Sequence, residues 1–497
     1  MTTTAAIRRT TIALLWAVAL WGSWECRGLY ADGAMYLVIV IEKGSFLRPD
    51  DKAREYAIAA TQIPLVIALK LGITDMRWLS RAYSLGLFAV PTVLYQMALT
   101  RAKDDTLLLA AVIAAIALAF FTTSTFIVGE YNTGYALAVA AAVWISTCRR
   151  WNMLDGSVLT LFGLAALRSY ESFLFFGPLL AAMIVLIAPK IDLRLPRPGT
   201  TKETLLFMFV PIAVSVLALA DVKPMLVAAA AGLPSLLAYA WLRPAKRGDI
   251  ATFLGFLAIL LFLASAPVAM ASVVRIGSRY LVHVTDTSFV TWRHIPLDLM
   301  VAASLCLVAW AIAQPTALRG NRPYLAAAPL LVILALSPLA ALVAPAYPAL
   351  TAEHYLARAI AVLIILAIVA VIAVRKIDVV RALPVFSTLE TEAAARRCLL
   401  FFFAMLLAAL PSVVASTITW SAFLDSVRAT VRGQQGVIAL KNLPPLLGRV
   451  YWFEEDAVSY PSLSLVVRAS LDDGMIEAPR PLTEGELPKL GNYFWRD

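Results

Sequence analysis

The sequence is poor in charge. Asp, Glu, Lys and Arg make up only 15% of its 497 residues, where a soluble domain carries about 25%. That shortage excludes a water-soluble enzyme as a description of the whole chain. With 61% hydrophobic residues and a mean hydropathy of +0.81, most of the chain is dissolved in lipid. Cysteine is scarce too. Cys26, Cys148, Cys306 and Cys398 lie far apart and form no CxxC pair, which excludes a disulfide framework and a thiolate metal site. There is no internal repeat and no low-complexity tract. No Walker loop or HExxH motif names the chemistry. The net charge of +10 belongs to loops on one side of a membrane, so no nucleic-acid partner is expected.

What is present is a series of long apolar runs. A span needs about 20 mostly apolar residues. Such runs fall near 10–27, 78–99, 105–124, 131–148, 155–168, 172–189, 204–221, 224–242, 250–272, 297–314, 324–344, 357–374 and 398–419. The expectation is an all-α polytopic membrane protein of about thirteen spans. The first run follows Arg8 and Arg9 but lacks a small-x-small cleavage site, so it reads as an uncleaved anchor. Placing the N-terminus inside puts Arg101 to Asp105, Arg149–Arg150, Lys190 to Lys202, Arg243 to Arg247, Arg319 to Arg322 and Arg375 to Arg397 on the inner side. Every one of these loops carries at least two Lys or Arg, as positive-inside loops should. The same parity argues against a crossing by the apolar run 56–73, which would send the basic RAKDD loop outside. Segments 33–45 and 56–73 are therefore expected as interfacial helices in a first outer loop, 28–78. A fourteenth span is the alternative that length allows. Residues 1–420 form the membrane domain in this scheme. Residues 421–497 form a small extracytoplasmic α+β domain, with a strand-like run LSLVVRAS at Leu463–Ser470.

The informative charges fall at the outer ends of spans and in outer loops. Charges at mid-span would mark a transport pathway, and transporters also show repeated halves and broken helices. Asp32 follows the first span, and Glu130 lies in the GEYN loop. Arg168 and Glu171 join spans five and six. Arg275, Arg279, His283, Arg293 and His294 occupy an expected loop from Val273 to Pro296. His354, Tyr355 and Arg358 occupy another from Ala344 to Arg358. Such a ring suits transfer of a sugar from a polyprenyl phosphate. The acceptor hydroxyl needs a base, and a carboxylate serves. The leaving phosphate needs cations to stabilise its developing charge.

The first hundred residues carry a resemblance. Tyr30-Ala-Asp32-Gly-Ala-Met-Tyr36, then Gly44-Ser-Phe, Gln62-Ile-Pro64-Leu, Leu71-Gly and Arg81 follow one another in an order that resembles the C-type (GT-C) integral-membrane glycosyltransferases, near the bacterial aminoarabinose transferases and protein O-mannosyltransferases. The remainder is similar only in topology. The resemblance implies a GT-C fold, a lipid-linked donor and a first-loop carboxylate, here Asp32. Two departures stand out. Many relatives have two adjacent acids in the first loop, whereas Asp32 is followed by Gly33. Some have a DxD-like pair in the second outer loop, whereas this chain offers only Glu130. A metal-independent enzyme, with no cofactor, is favoured over one holding a divalent ion between Asp32 and Glu130.

The expected roles are then Asp32 and Glu130 as the catalytic carboxylates, with Asp32 the base. Arg275, Arg279, Arg293, Arg358 and His354 would bind the donor phosphate. Tyr36, Arg168, Glu171, His294 and Tyr355 would contact substrate. Plainer readings stay open. Asp32 could cap the helix beginning at Ala34, Glu130 could be a solvated loop acid, and Arg168 and Glu171 could form a local ion pair. The arginines could meet lipid headgroups. The expected partners are a polyprenyl-phosphate-linked sugar, an acceptor that is a glycan, glycolipid or protein, and the bilayer. The expected place is the bacterial inner membrane, with the site facing the periplasm or cell exterior. A transporter or flippase of a lipid-linked sugar is the runner-up, and a non-catalytic scaffold subunit the third reading.

Overall fold

The computed structural model describes residues 3–30, 32–47, 49, 52–124, 128–193, 201–219, 250–285, 350–377, 389–432 and 459–471. Within these, side chains are described except at 201–209, 275–285, 350–360 and 459–461. The helices are α1 (Thr3–Trp24), α2 (Gly33–Lys43), α3 (Glu55–Lys70), α4 (Met76–Arg101), α5 (Thr106–Ser124), α6 (Glu130–Thr147), α7 (Met153–Leu167), α8 (Phe173–Ile187), α9 (Thr201–Leu219), α10 (Ile250–Thr285), α11 (Leu350–Val374), α12 (Glu392–Val431) and α13 (Ser459–Leu471). No β-strand occurs among the described residues.

Several helices start where a polar side chain can take the first orphan amides. Asp75 accepts from Arg77 N at 2.8 Å, Asp105 from Leu108 N at 2.9 Å and Asn152 from Asp155 N at 2.9 Å. Among the described residues, five helices are long and apolar enough to cross a membrane: α4, α5, Phe173–Ile191, Ile250–Val274 and α12. The described residues are all-α and of membrane-embedded type. The spans expected at 224–242, 297–314 and 324–344 lie outside the described residues.

α4 is the hub, packed against α1, α3 and α6, while α10 runs along α7 and α8, and α12 along α5. α3 folds back on α4 as a hairpin. The close approach needs Gly86, because a Cβ there would collide with the Thr61 carbonyl oxygen. α3 buries Ile58, Leu65 and Val66 in the bundle and leaves Ile63, Ile67 and Leu71 exposed as an apolar stripe at helical spacing. α5 contains one π-helical segment, Ile116–Phe121.

Four expectations need correction. Leu463–Ser470 is helix, not strand. Its buried residues are Leu463, Val466, Val467 and Ser470, the i, i+3, i+4, i+7 pattern of one helix face. The Val466–Val467 pair suggests a strand by composition, but the burial period is helical. The stretch Val273–Thr285 is not loop but the continuation of α10, so Arg275, Arg279 and His283 stand at i, i+4 and i+8 of one helix. Likewise His354, Tyr355 and Arg358 fall within the first turns of α11 rather than on a loop. α12 runs on to Val431, past the boundary expected at 421.

Candidate active site

The turn that carries Asp32 is held on several sides. Gly28 N donates to Ser84 Oγ on α4 at 3.0 Å. From α12, Trp420 Nε1 donates to the Cys26 carbonyl at 3.1 Å and Ser421 Oγ to Glu25 at 2.7 Å. The buried Arg27 guanidinium lies 5.4 Å from the Tyr30 ring centroid and 5.9 Å from that of Trp420.

Asp32 itself is exposed and makes no side-chain cap bond to α2. Its backbone is already helical (φ −60°, ψ −13°), whereas a capping residue is typically extended. The capping reading therefore fails here. Gly33 explains the missing second acid. A Cβ at position 33 would collide with the Gly28 carbonyl oxygen, so this turn admits a single carboxylate.

Asp32 borders a cavity of ≈ 40 Å³ walled by Tyr30, Tyr36 and Gly33 from its own turn and helix, Ile58 and Thr61 from α3, Tyr83 and Leu87 from α4, and Val128, Gly129 and Glu130 at the start of α6. By volume it holds on the order of three waters. It suits a reacting hydroxyl rather than a whole sugar. The two carboxylates singled out by sequence thus share one cavity with three tyrosines.

Beside it runs an ionic chain. Arg54, just before α3, donates to Glu130 at 2.9 Å and to Glu171 at 2.6 Å, and its guanidinium lies 5.3 Å from the Tyr170 ring centroid. Ser272 on α10 donates to Glu171 at 3.5 Å. Arg168, fully buried, pairs with Glu55 and lies against the Tyr56 ring. Most of these charges suit the helix ends they occupy. Glu55 and Glu130 open α3 and α6, and Arg168 follows the last residue of α7, each complementing the local helix dipole. Arg54 sits at a helix start, where a cation is unfavourable, and two carboxylates hold it there.

Of the expected residues, Asp32, Tyr36 and Glu130 meet at the cavity. Glu171 joins through Arg54. Arg168 is not among the cavity-lining residues and pairs with Glu55 rather than Glu171, so the local ion pair is overturned: Glu171 is held by Arg54, just before α3, and Arg168 by Glu55, the first residue of α3. The backbones of Arg275 and Arg279 continue α10 beyond Ser272; the backbones of His354, Tyr355 and Arg358 lie in α11. Arg293 and His294 fall outside the described residues. Sequence reasoning missed Arg54 and Glu55. The available signal was Lys52-Ala-Arg54-Glu55, a charged island directly before an apolar run. No protein-family model, curated protein or solved structure matches the chain.

Proposed function

We propose that the protein is a membrane glycosyltransferase of the C-type, moving a sugar from a polyprenyl-phosphate donor to an acceptor hydroxyl on the extracytoplasmic face. The observation that carries this reading is the placement of Asp32: exposed, uninvolved in capping, on a turn braced by α4 and α12, at the mouth of a tyrosine-walled cavity. There it takes the proton of an acceptor hydroxyl as the sugar–phosphate bond breaks. Glu130, engaged by Arg54, shapes the cavity's other wall. Arg275 and Arg279, on the extension of α10, are the cations assigned to the leaving phosphate, with Arg358 and His354 on α11. The described charges of the network sit at helix ends rather than mid-helix, which favours an enzyme over a transporter.

The test is Asp32→Asn in the purified chain with a polyprenyl-phosphate sugar. A general base contributes about 10²–10⁴-fold, so turnover should fall by that factor while donor binding persists. Transfer at close to the wild-type rate would remove Asp32 from the mechanism and make Glu130 the first candidate.

A further inference from the structure

The other ends of α4 and α6 enclose a second cleft, of ≈ 1190 Å³. Five basic side chains line it (Arg101, Lys103, Arg149, Arg150 and Lys376) against three acidic ones (Asp104, Asp105 and Asp155). Two of the acids are already ion-paired, although Arg375, the partner of Asp105, also lies 3.6 Å from Glu390. Arg101 pairs with Asp155 at 2.8 Å while lying 4.4 Å from the Trp144 ring centroid, and Arg375 pairs with Asp105 at 3.1 Å. Asp155 also accepts from Trp144 Nε1 at 3.0 Å and from Asn152 at 2.6 Å. The exposed Lys103, Arg149 and Arg150 therefore face the cleft with Asp104 as the uncompensated acid.

Further along α4 the lining mixes the apolar Val93 and Met97 with the polar Gln96 and Thr100. Val93 is 44% exposed on the flank of this span-length helix. The cleft matches or exceeds the ≈ 300–1,000 Å³ that accommodates a drug-sized ligand. A bare phosphate would leave most of it empty. A charged rim above a lipid-facing, partly apolar wall is the arrangement that holds an anionic headgroup with its chain.

We propose that this cleft binds an anionic phospholipid, its phosphate on Lys103, Arg149 and Arg150 and the start of an acyl chain along Val93 and Met97. This site is separate from the Asp32 cavity and stands whether or not that cavity transfers a sugar.

The experiment uses the full chain purified in a neutral detergent, with bound lipid counted by native mass spectrometry. The probes are phosphatidylglycerol and phosphatidylcholine with identical acyl chains, and glycerol 1-phosphate. Phosphatidylglycerol should bind at least tenfold more tightly than phosphatidylcholine. A basic residue near a membrane surface contributes about fivefold, so the Lys103→Gln/Arg149→Gln/Arg150→Gln variant should lose on the order of a hundredfold. A control, Lys43→Gln/Lys70→Gln, removes exposed cations at the other end and should leave affinity unchanged. Equal loss in the control would reduce the effect to general surface charge and overturn the site. Glycerol 1-phosphate binding as tightly as the lipid would make it a free-anion site and overturn the lipid assignment. The preference of the wild-type chain decides without any variant: no selectivity for phosphatidylglycerol ends the proposal.

Discussion

Arg54→Ala is the most revealing single change. The Arg54, Glu130 and Glu171 side chains are only 19%, 13% and 14% exposed, so the two acids cannot turn to water when their cation is removed. Breaking a buried pair by deleting one partner costs about 3–5 kcal/mol. The residual exposure places this case toward the lower figure, although two acids lose their cation rather than one. Against a total stability of about 5–15 kcal/mol, the variant should denature at a clearly lower temperature in detergent micelles. Electrostatics and lost packing make different predictions for rescue. If charge is the cause, Arg54→Ala combined with Glu130→Gln and Glu171→Gln should recover most of the loss, since the amides carry no charge to strand. Arg54→Lys should cost less than Arg54→Ala, because it keeps the charge but loses the two-carboxylate fork. An Arg54→Ala variant that melts with the wild type, or a triple variant less stable than the single one, would refute the account.

Other outcomes follow from the same geometry. Gly33→Ala should destabilise by about 1–3 kcal/mol and depress any activity that needs Asp32, checked by melting and turnover together, because its Cβ would displace the turn from Gly28. Trp420→Phe should lower transfer with little loss of fold, since it removes the bond to the Cys26 carbonyl and keeps most of the packing; unchanged kinetics would show that this brace does not position Asp32. The Cys26 and Cys148 side chains are buried. Their sulfurs are shielded from solvent, so iodoacetamide at pH 8 should label them only after denaturation, as mass spectrometry would read. Single cysteines at Lys43 and Arg150 should be labelled by a membrane-impermeant reagent from opposite sides, and labelling from one side would sink the topology.

Much of the helical frame was legible because apolar runs end in polar stops. The expected spans 78–99, 131–148 and 172–189 lie within two residues, at each end, of Met76–Arg101, Glu130–Thr147 and Phe173–Ile187. The expected boundaries were too short where a helix outlasts its apolar run, as α10 does past Val273 through Arg275 and Arg279. Hydropathy measures lipid preference, and a helix that projects beyond an apolar environment loses that signal without losing its hydrogen bonds. Leu463–Ser470 failed for another reason: two adjacent valines suit a strand, and only the burial of positions three and four apart exposes the helix. At the site, Asp32 and Glu130 could be named from position and resemblance. Arg54 could not, because its meaning depends on Glu130 and Glu171 folding back on it, and no local spacing encodes that encounter.

The ionic chain also has a consequence for biosynthesis. Arg54 waits for acids 76 and 117 residues further on, and Glu55 for a guanidinium 113 residues on. At about 5–20 residues per second, the ribosome needs roughly 4–15 s to supply Glu130 and roughly 6–23 s to supply Glu171 and Arg168. During that interval the segment before α3 carries charges without their later partners and has reason to remain at the aqueous boundary. Together these ion pairs can close only once the α7–α8 connection has been made, so the last contacts of the α3 start form well after its own synthesis.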